Sequence, residues 1–234
     1  EDLGTAALIA AVAVALLIAG GARLWHLAML APPALAMLVL AILAAPYRIA
    51  RLTAFLDPWA DPAGAGYHPI QSMLAVAGGN ITGKGLGAGV QKFGYLPEDT
   101  TDFVFAVICE ELGLPGALMV IGLFIALIWV GLSIVRNTPD LFGRLLGLGV
   151  VLTVGTQAVV NLAVVTVVVP TKGIALPLVS AGGTGWILTG FCLGLLASLD
   201  VARRFEEQAQ EDSQYVTAEL DEDDDPEFRL MPAA

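Results

Sequence analysis

The chain has 234 residues, of which 57% are apolar and only 14% charged, against about 25% charged in a soluble domain. The apolar residues fall in long runs, which excludes a soluble enzyme and a disordered protein for residues 1–204. The net charge of −11 belongs to the end of the chain: residues 1–204 hold 11 Asp/Glu against 10 Lys/Arg, and residues 205–234 hold 11 against the single Arg229. That balance excludes nucleic acid as a partner.

A membrane-spanning helix needs about 20 mainly apolar residues. Five segments qualify, at about 3–21, 24–45, 114–135, 145–169 and 186–199. The first carries no charge. The second holds Pro32 and Pro33, which remove two backbone donors and predict a kink. These runs predict an all-α polytopic membrane protein with about five transmembrane helices. Glu1 stands where an initiator methionine would be and no signal peptide precedes it, as in a piece of a longer membrane protein.

Between the second and third spans, residues 46–102 form a long loop rich in Gly, Pro and Asp, with no clear helical or strand period. Its aromatics, among them Tyr47, Trp59, Tyr67 and Tyr95, predict that it is ordered. A shorter connection, 170–185, is apolar enough to re-enter the membrane. The tail, 205–234, centres on the acidic run 221–225 and is predicted to be disordered. Lys and Arg divide evenly between the two sides, so the positive-inside rule returns a tie.

Several short patterns carry no chemistry. Residues 78–84 fit G-x-x-x-x-G-K, but Gly85 follows where a nucleotide loop needs Ser or Thr. Cys109 and Cys192 lie inside apolar runs and read as hydrophobic filler. Gln157 and Asn161 share a helix face at i, i+4 and suit interhelical hydrogen bonding.

The segment 95–111, YLPEDTTDFVFAVICEE, is more informative. Glu98, Asp99 and Asp102 directly precede an apolar run, a pattern that suits helix capping. A carboxylate at a membrane boundary beside Phe103 and Phe105 also suits general-base work. Glu110 and Glu111 follow in an apolar context. They are either functional or paired, or lie beside the bend that Gly113, Pro115 and Gly116 predict. Arg48, Arg51, Lys84, Lys92 and Lys172 are the cations of the long-loop side, suited to a pyrophosphate or to lipid headgroups.

EDLGTA, PYRIARLTAFLDPWADPAGAGYH, GKGLGAGVQKFGYLPEDTTDFVFAVICEELG and VVPTKGIALPLVSAGGT occur in this order. Together they resemble the shape, elongation, division and sporulation (SEDS) family of bacterial membrane proteins, over residues 1–204. QKFGYLPE and PTKG are nearer its FtsW-like division branch than its elongation branch. The resemblance implies half of a ten-helix bundle, a long extracytoplasmic loop and a cytoplasmic tail, in the cytoplasmic membrane at the division septum. It also implies a peptidoglycan glycosyltransferase that polymerises lipid II, working with a class B penicillin-binding transpeptidase and other division proteins. The family's catalytic acid falls on Asp102. Its substrate-binding residues fall on Arg48, Arg51 and Lys172, to which Glu98, Lys92 and Ser180 are added, and a divalent cation (Mg or Mn) is a candidate cofactor. Two departures stand out. Thr100 replaces the His often found before T-D-F, and residues 180–185 read SAGGTG where the family has S-Y-G-G-S-S. A lipid-precursor carrier and a non-catalytic division scaffold are the other function classes that fit.

Overall fold

The computed structural model describes residues 3–223. Seven α-helices and a single 3-10 turn account for its regular structure. Four helices are long and apolar enough to cross a membrane: α2 (Leu24–Leu43), α5 (Val104–Asn137), α6 (Leu141–Val165) and α7, whose qualifying part is Gly183–Tyr215. The first helix, α1 (Leu3–Ala19), is apolar throughout but has 17 residues, the lower edge of a spanning length. Where five spans are expected, four helices among the described residues are long enough to cross and the fifth segment is a shorter apolar helix; the protein is a multi-pass membrane protein.

The helices pack through small residues, as membrane helices do where no water is left to expel. A Cβ on Gly131 of α5 would come within 2.6 Å of Val151 Cγ2 on α6, and one on Gly147 within 2.9 Å of Val135 Cγ2. These close approaches seat a cluster of Val135, Val150, Val151 and Leu196 between α5, α6 and α7. A larger core gathers Leu96, Phe103, Phe105, Phe124, Val154, Val165 and Leu176. It lies where α5 and α6 meet the connections at the other end of the bundle.

α1 lies along α6, whereas α2 packs mainly on the short helix that follows it. Pro32 and Pro33 sit inside an unbroken α2, which buries no residue. α1 and α2 diverge around an apolar groove of about 1200 Å³, lined by residues such as Leu3, Ala10, Ala31 and Leu38.

Residues 46–102 are more regular than the sequence predicts. They hold α3 (Pro46–Leu56), the 3-10 turn Pro58–Ala60 and α4 (Tyr67–Gly79). Pro46 starts α3 at a position where its missing N–H costs nothing, and Asp57 receives the Trp59 amide at 3.1 Å. α4 is short and rich in small residues, so its period is weak; packing against α5 stabilises it. Ser72 fixes it to the end of α6 with a 2.7 Å bond to the Val165 carbonyl.

Two boundaries also differ. α5 starts at Val104, ahead of the predicted third span, and runs through Glu110 and Glu111; its backbone breaks at Gly113 (φ 64°), so its second piece begins where that span is predicted to start. The last helix, α7 (Gly183–Asp223), runs well past residue 199 into the stretch expected to be disordered. Asp200 pairs with Arg203 and Arg204, and Arg203 with Glu207, at i, i+3 and i, i+4 spacing. Such pairs extend a helix beyond its apolar part. Residues 224–234, with the rest of the acidic tail, lie outside the described residues.

Candidate active site

The site is assembled by a glycine-rich loop held on two adjacent carboxylates. Glu110 is fully buried. It accepts from Lys84 Nζ at 2.6 Å and from the amides of Val90 and Gln91 at 3.0 and 3.1 Å. Glu111 takes Lys92 Nζ at 2.6 Å and the amides of Gly87 and Gly89 at 2.9 and 3.3 Å. Buried carboxylates persist only when paired and hydrogen-bonded in this way. Gly83 and Gly113, both at positive φ, approach so closely that a Cβ on either would collide with the other's backbone. Of the two readings open for Glu110 and Glu111, the structure thus has both: they are paired, and they lie beside the bend.

The loop then delivers Tyr95–Asp102. Tyr67 of α4 donates its hydroxyl to the Tyr95 carbonyl at 2.7 Å. Leu96 is buried in the larger core. Glu98 takes a left-handed backbone (φ 54°), a strained conformation for a residue with a side chain. Its carbonyl accepts from the amides of Thr101 and Phe103, and its carboxylate accepts from Thr101 Oγ1 at 2.7 Å.

This turn is stitched to the connection between α6 and α7 at three successive carbonyls. The Thr100 carbonyl receives the Ala181 amide at 2.8 Å. That of Thr101 receives Ser180 Oγ at 2.5 Å, and Ser180 Oγ in turn accepts the Leu176 amide at 2.7 Å. The Asp102 carbonyl receives Asn161 Nδ2, which also reaches the Ile174 carbonyl, each at 2.7 Å. The Asp102 carboxylate is thereby laid against Gly173, where a Cβ would stand 2.7 Å from Oδ2.

Lys172, the preceding residue, lines a cleft of about 160 Å³ together with Arg48, Arg51, Tyr47 and Gly4. The lysine passes directly over Gly4 of α1, where any side chain would overlap its ammonium. Both arginines lie over the Tyr47 ring, at 5.2 and 5.7 Å from its centroid. Arg48 also donates to the Tyr47 hydroxyl at 2.9 Å and to the Ala41 carbonyl. Three cations around one small cleft are chemically suited to a polyanion.

Of the residues singled out from the sequence, the fold thus gathers Arg48, Arg51 and Lys172 at this cleft, with the Asp102 carboxylate near Gly173, the residue after Lys172. Glu98 shapes the turn that carries Asp102. Lys92 is turned to Glu111, away from the cleft, and Ser180 is a cross-link between two segments. Among the described residues no three His, Cys, Asp or Glu side chains converge. One carboxylate beside three cations would hold a divalent cation only together with the phosphates of a bound substrate.

Sequence reasoning passed over Tyr47, which orders the arginines, and His68, whose ring stacks on Phe103 with centroids 6.0 Å apart and planes 26° apart. Asn161 was legible only as an interhelical donor, because its acceptors come from loops 59 and 13 residues away.

A family profile described as "Cell cycle protein" (FtsW/RodA/SpoVE) matches residues 1–205. The chain is 45% identical over 88% of its length to a probable peptidoglycan glycosyltransferase FtsW of Alkalilimnicola ehrlichii, covering 52% of that protein. It is 40% identical over 87% of its length to stage V sporulation protein E of Bacillus subtilis, covering 56% of it. A chain from a solved structure on the structural coordination of polymerization and crosslinking by a peptidoglycan synthase complex superposes with a TM-score of 0.63. The two share 34% sequence identity over 84% of this chain and 55% of that one. The chain therefore spans about half the length of the curated relatives it matches.

Proposed function

The chain belongs to the FtsW/RodA/SpoVE family of cell cycle proteins, and on that premise we propose that it is the catalytic half of a peptidoglycan glycosyltransferase. The reaction joins two lipid-linked sugars of lipid II at the outer face of the bacterial cytoplasmic membrane. The observation that carries this reading is one arrangement: three cations around a single cleft, with the Asp102 carboxylate against Gly173, the residue that follows Lys172.

Asp102 takes the proton from the acceptor sugar hydroxyl, whose oxygen bonds to the anomeric carbon of the donor. The bond from that carbon to the lipid pyrophosphate breaks, and the electron pair leaves with the phosphate oxygen. Arg48, Arg51 and Lys172 hold the charge that grows there. Leu3 lines both the cationic cleft and the apolar groove between α1 and α2, so a phosphate head and a hydrocarbon chain can be held at once.

In this reading the cleft faces outward and α7 leaves the membrane on the cytoplasmic side. The relative that superposes comes from a peptidoglycan synthase complex that coordinates polymerization and crosslinking, which supports a crosslinking partner; in this reading that partner is a class B transpeptidase and the place of action is the division septum. A carrier reading would rest on free intramembrane acids, yet Glu110 and Glu111 are both committed to the glycine-rich loop.

The test is lipid II polymerisation by a full-length protein carrying this half, together with its transpeptidase. General-base catalysis contributes about 10²–10⁴-fold, so Asp102→Asn should lose at least about 100-fold with folding and partner binding intact. Undiminished glycan synthesis by that variant refutes the assignment.

A further inference from the structure

His68 is the second residue of α4, and no part of the chemistry above uses it. Its half-buried ring is wedged between two aromatics. It stacks on Phe103 and meets the edge of Tyr67, with centroids 6.4 Å apart. Phe103 directly follows Asp102, so the imidazole packs on the residue next to the one whose carbonyl Asn161 holds. α4 cannot easily retreat, because Ser72 is bonded to the end of α6 and Tyr67 to the Tyr95 carbonyl.

The charged groups that act on the ring come from two other segments: Arg51 of α3 and Glu98 of the turn itself. On its own helix the neighbour is Tyr67, and the α4 N-terminus adds a partial positive charge. Burial first, and then Arg51, hold His68 below the ordinary histidine range, against the opposing pull of Glu98. The native state thus prefers the uncharged ring. The stability linked to it is complete above the ordinary histidine value and is lost as pH falls through the lowered one.

We propose that His68 is a positioning residue for Asp102, bracing the Phe103 ring by stacking on it, and that protonation of His68 sets the acidic limit of activity. An imidazolium there places a second cation beside Arg51 and crowds the arginine that lines the cleft. It also competes with Thr101 for the Glu98 carboxylate, loosening the strained turn that aims Asp102. Both effects act on the site through its supports, without His68 touching substrate. The inference rests on Asp102 being the general base.

The test is the pH profile of lipid II polymerisation by a full-length protein carrying this half with its transpeptidase. Wild type, His68→Gln, His68→Ala and Asp102→Asn are compared between about pH 5 and pH 8.5, the window in which a histidine titrates. His68→Gln lacks the titration, so its acid limb should move to lower pH. One pH unit below the wild-type midpoint it should retain up to about tenfold more of its plateau activity than wild type does. His68→Ala, which also loses the ring contact, should show a lower kcat at every pH. If His68→Gln does not fold, His68→Phe keeps a ring on Phe103 without a titrating nitrogen and must show the same shift. A non-titrating variant whose acid limb superposes on that of wild type overturns the proposal. So do equal losses at every pH in all His68 variants. Wild-type activity in Asp102→Asn would refute the general base itself, an outcome distinct from an unmoved acid limb beside an inactive Asp102→Asn.

Discussion

Replacing Glu110 by alanine should release the glycine-rich loop and, with it, the turn that carries Asp102. The carboxylate has three donors: Lys84 Nζ and the amides of Val90 and Gln91. The Lys84 side chain is 38% exposed, against 1% for Glu110, so the ammonium can turn to water and contributes little to the loss. The bonds to the two amides are part-buried, and an unsatisfied buried donor costs about 1–3 kcal/mol. Partial relaxation of the loop brings the total to about 3 kcal/mol rather than the sum of the maxima. Each 1.4 kcal/mol is a factor of ten, so local opening should become about 100-fold more frequent. Amide hydrogen exchange over residues 83–96 in detergent or nanodiscs reads this directly, and polymerisation should fall in parallel. Glu110→Gln, which keeps an acceptor oxygen, should be hit less. Exchange in Glu110→Ala within threefold of wild type would refute the reasoning, since the loop would then be held by something other than its carboxylate.

Other substitutions probe the remaining supports. Gly173→Ala sets a methyl 2.7 Å from Asp102 Oδ2 and should displace the carboxylate, slowing polymerisation roughly 10–100-fold with membrane insertion and melting temperature unchanged. Asn161→Leu removes the donor shared by the Asp102 and Ile174 carbonyls. It should destabilise by about 2 kcal/mol and lower kcat more than it raises KM, as thermal unfolding and initial rates would show. Arg48→Gln and Lys172→Gln each remove one cation from the cleft. They should weaken transition-state charge stabilisation by about 2–4 kcal/mol, read as kcat/KM for lipid II.

The membrane helices were legible because their apolar runs need no partner to be recognised: α2, α5, α6 and α7 all overlap predicted spans. α3 and α4 were not, because short helices of mixed composition owe their stability to packing. The long α7 was missed because its continuation past residue 199 depends on charge pairs such as Asp200 with Arg203, not on apolar content. At the site, Asp102, Lys172, Arg48 and Arg51 were found through motif resemblance, and the fold brings them to neighbouring positions. Lys92 looked equivalent to the other loop cations in one dimension. Its pairing with Glu111, 19 residues away, is a tertiary fact that no local pattern encodes. His68 carried no signal, being a single histidine in a segment without period. Its surroundings arise only when α4 meets the turn before α5.

Glu110 and Glu111 are consecutive on one helix, so their side chains leave the axis about 100° apart, and each takes its own lysine and its own pair of amides from the same loop. Lys84 answers the first and Lys92 the second. Two anchors at a fixed angular offset act as a gauge for the segment between them. The stretch from 84 to 92 cannot gain or lose a residue without pulling one lysine off its carboxylate or shifting everything downstream through Leu96 to Asp102. Surface loops ordinarily tolerate changes of length; this one is held to its count.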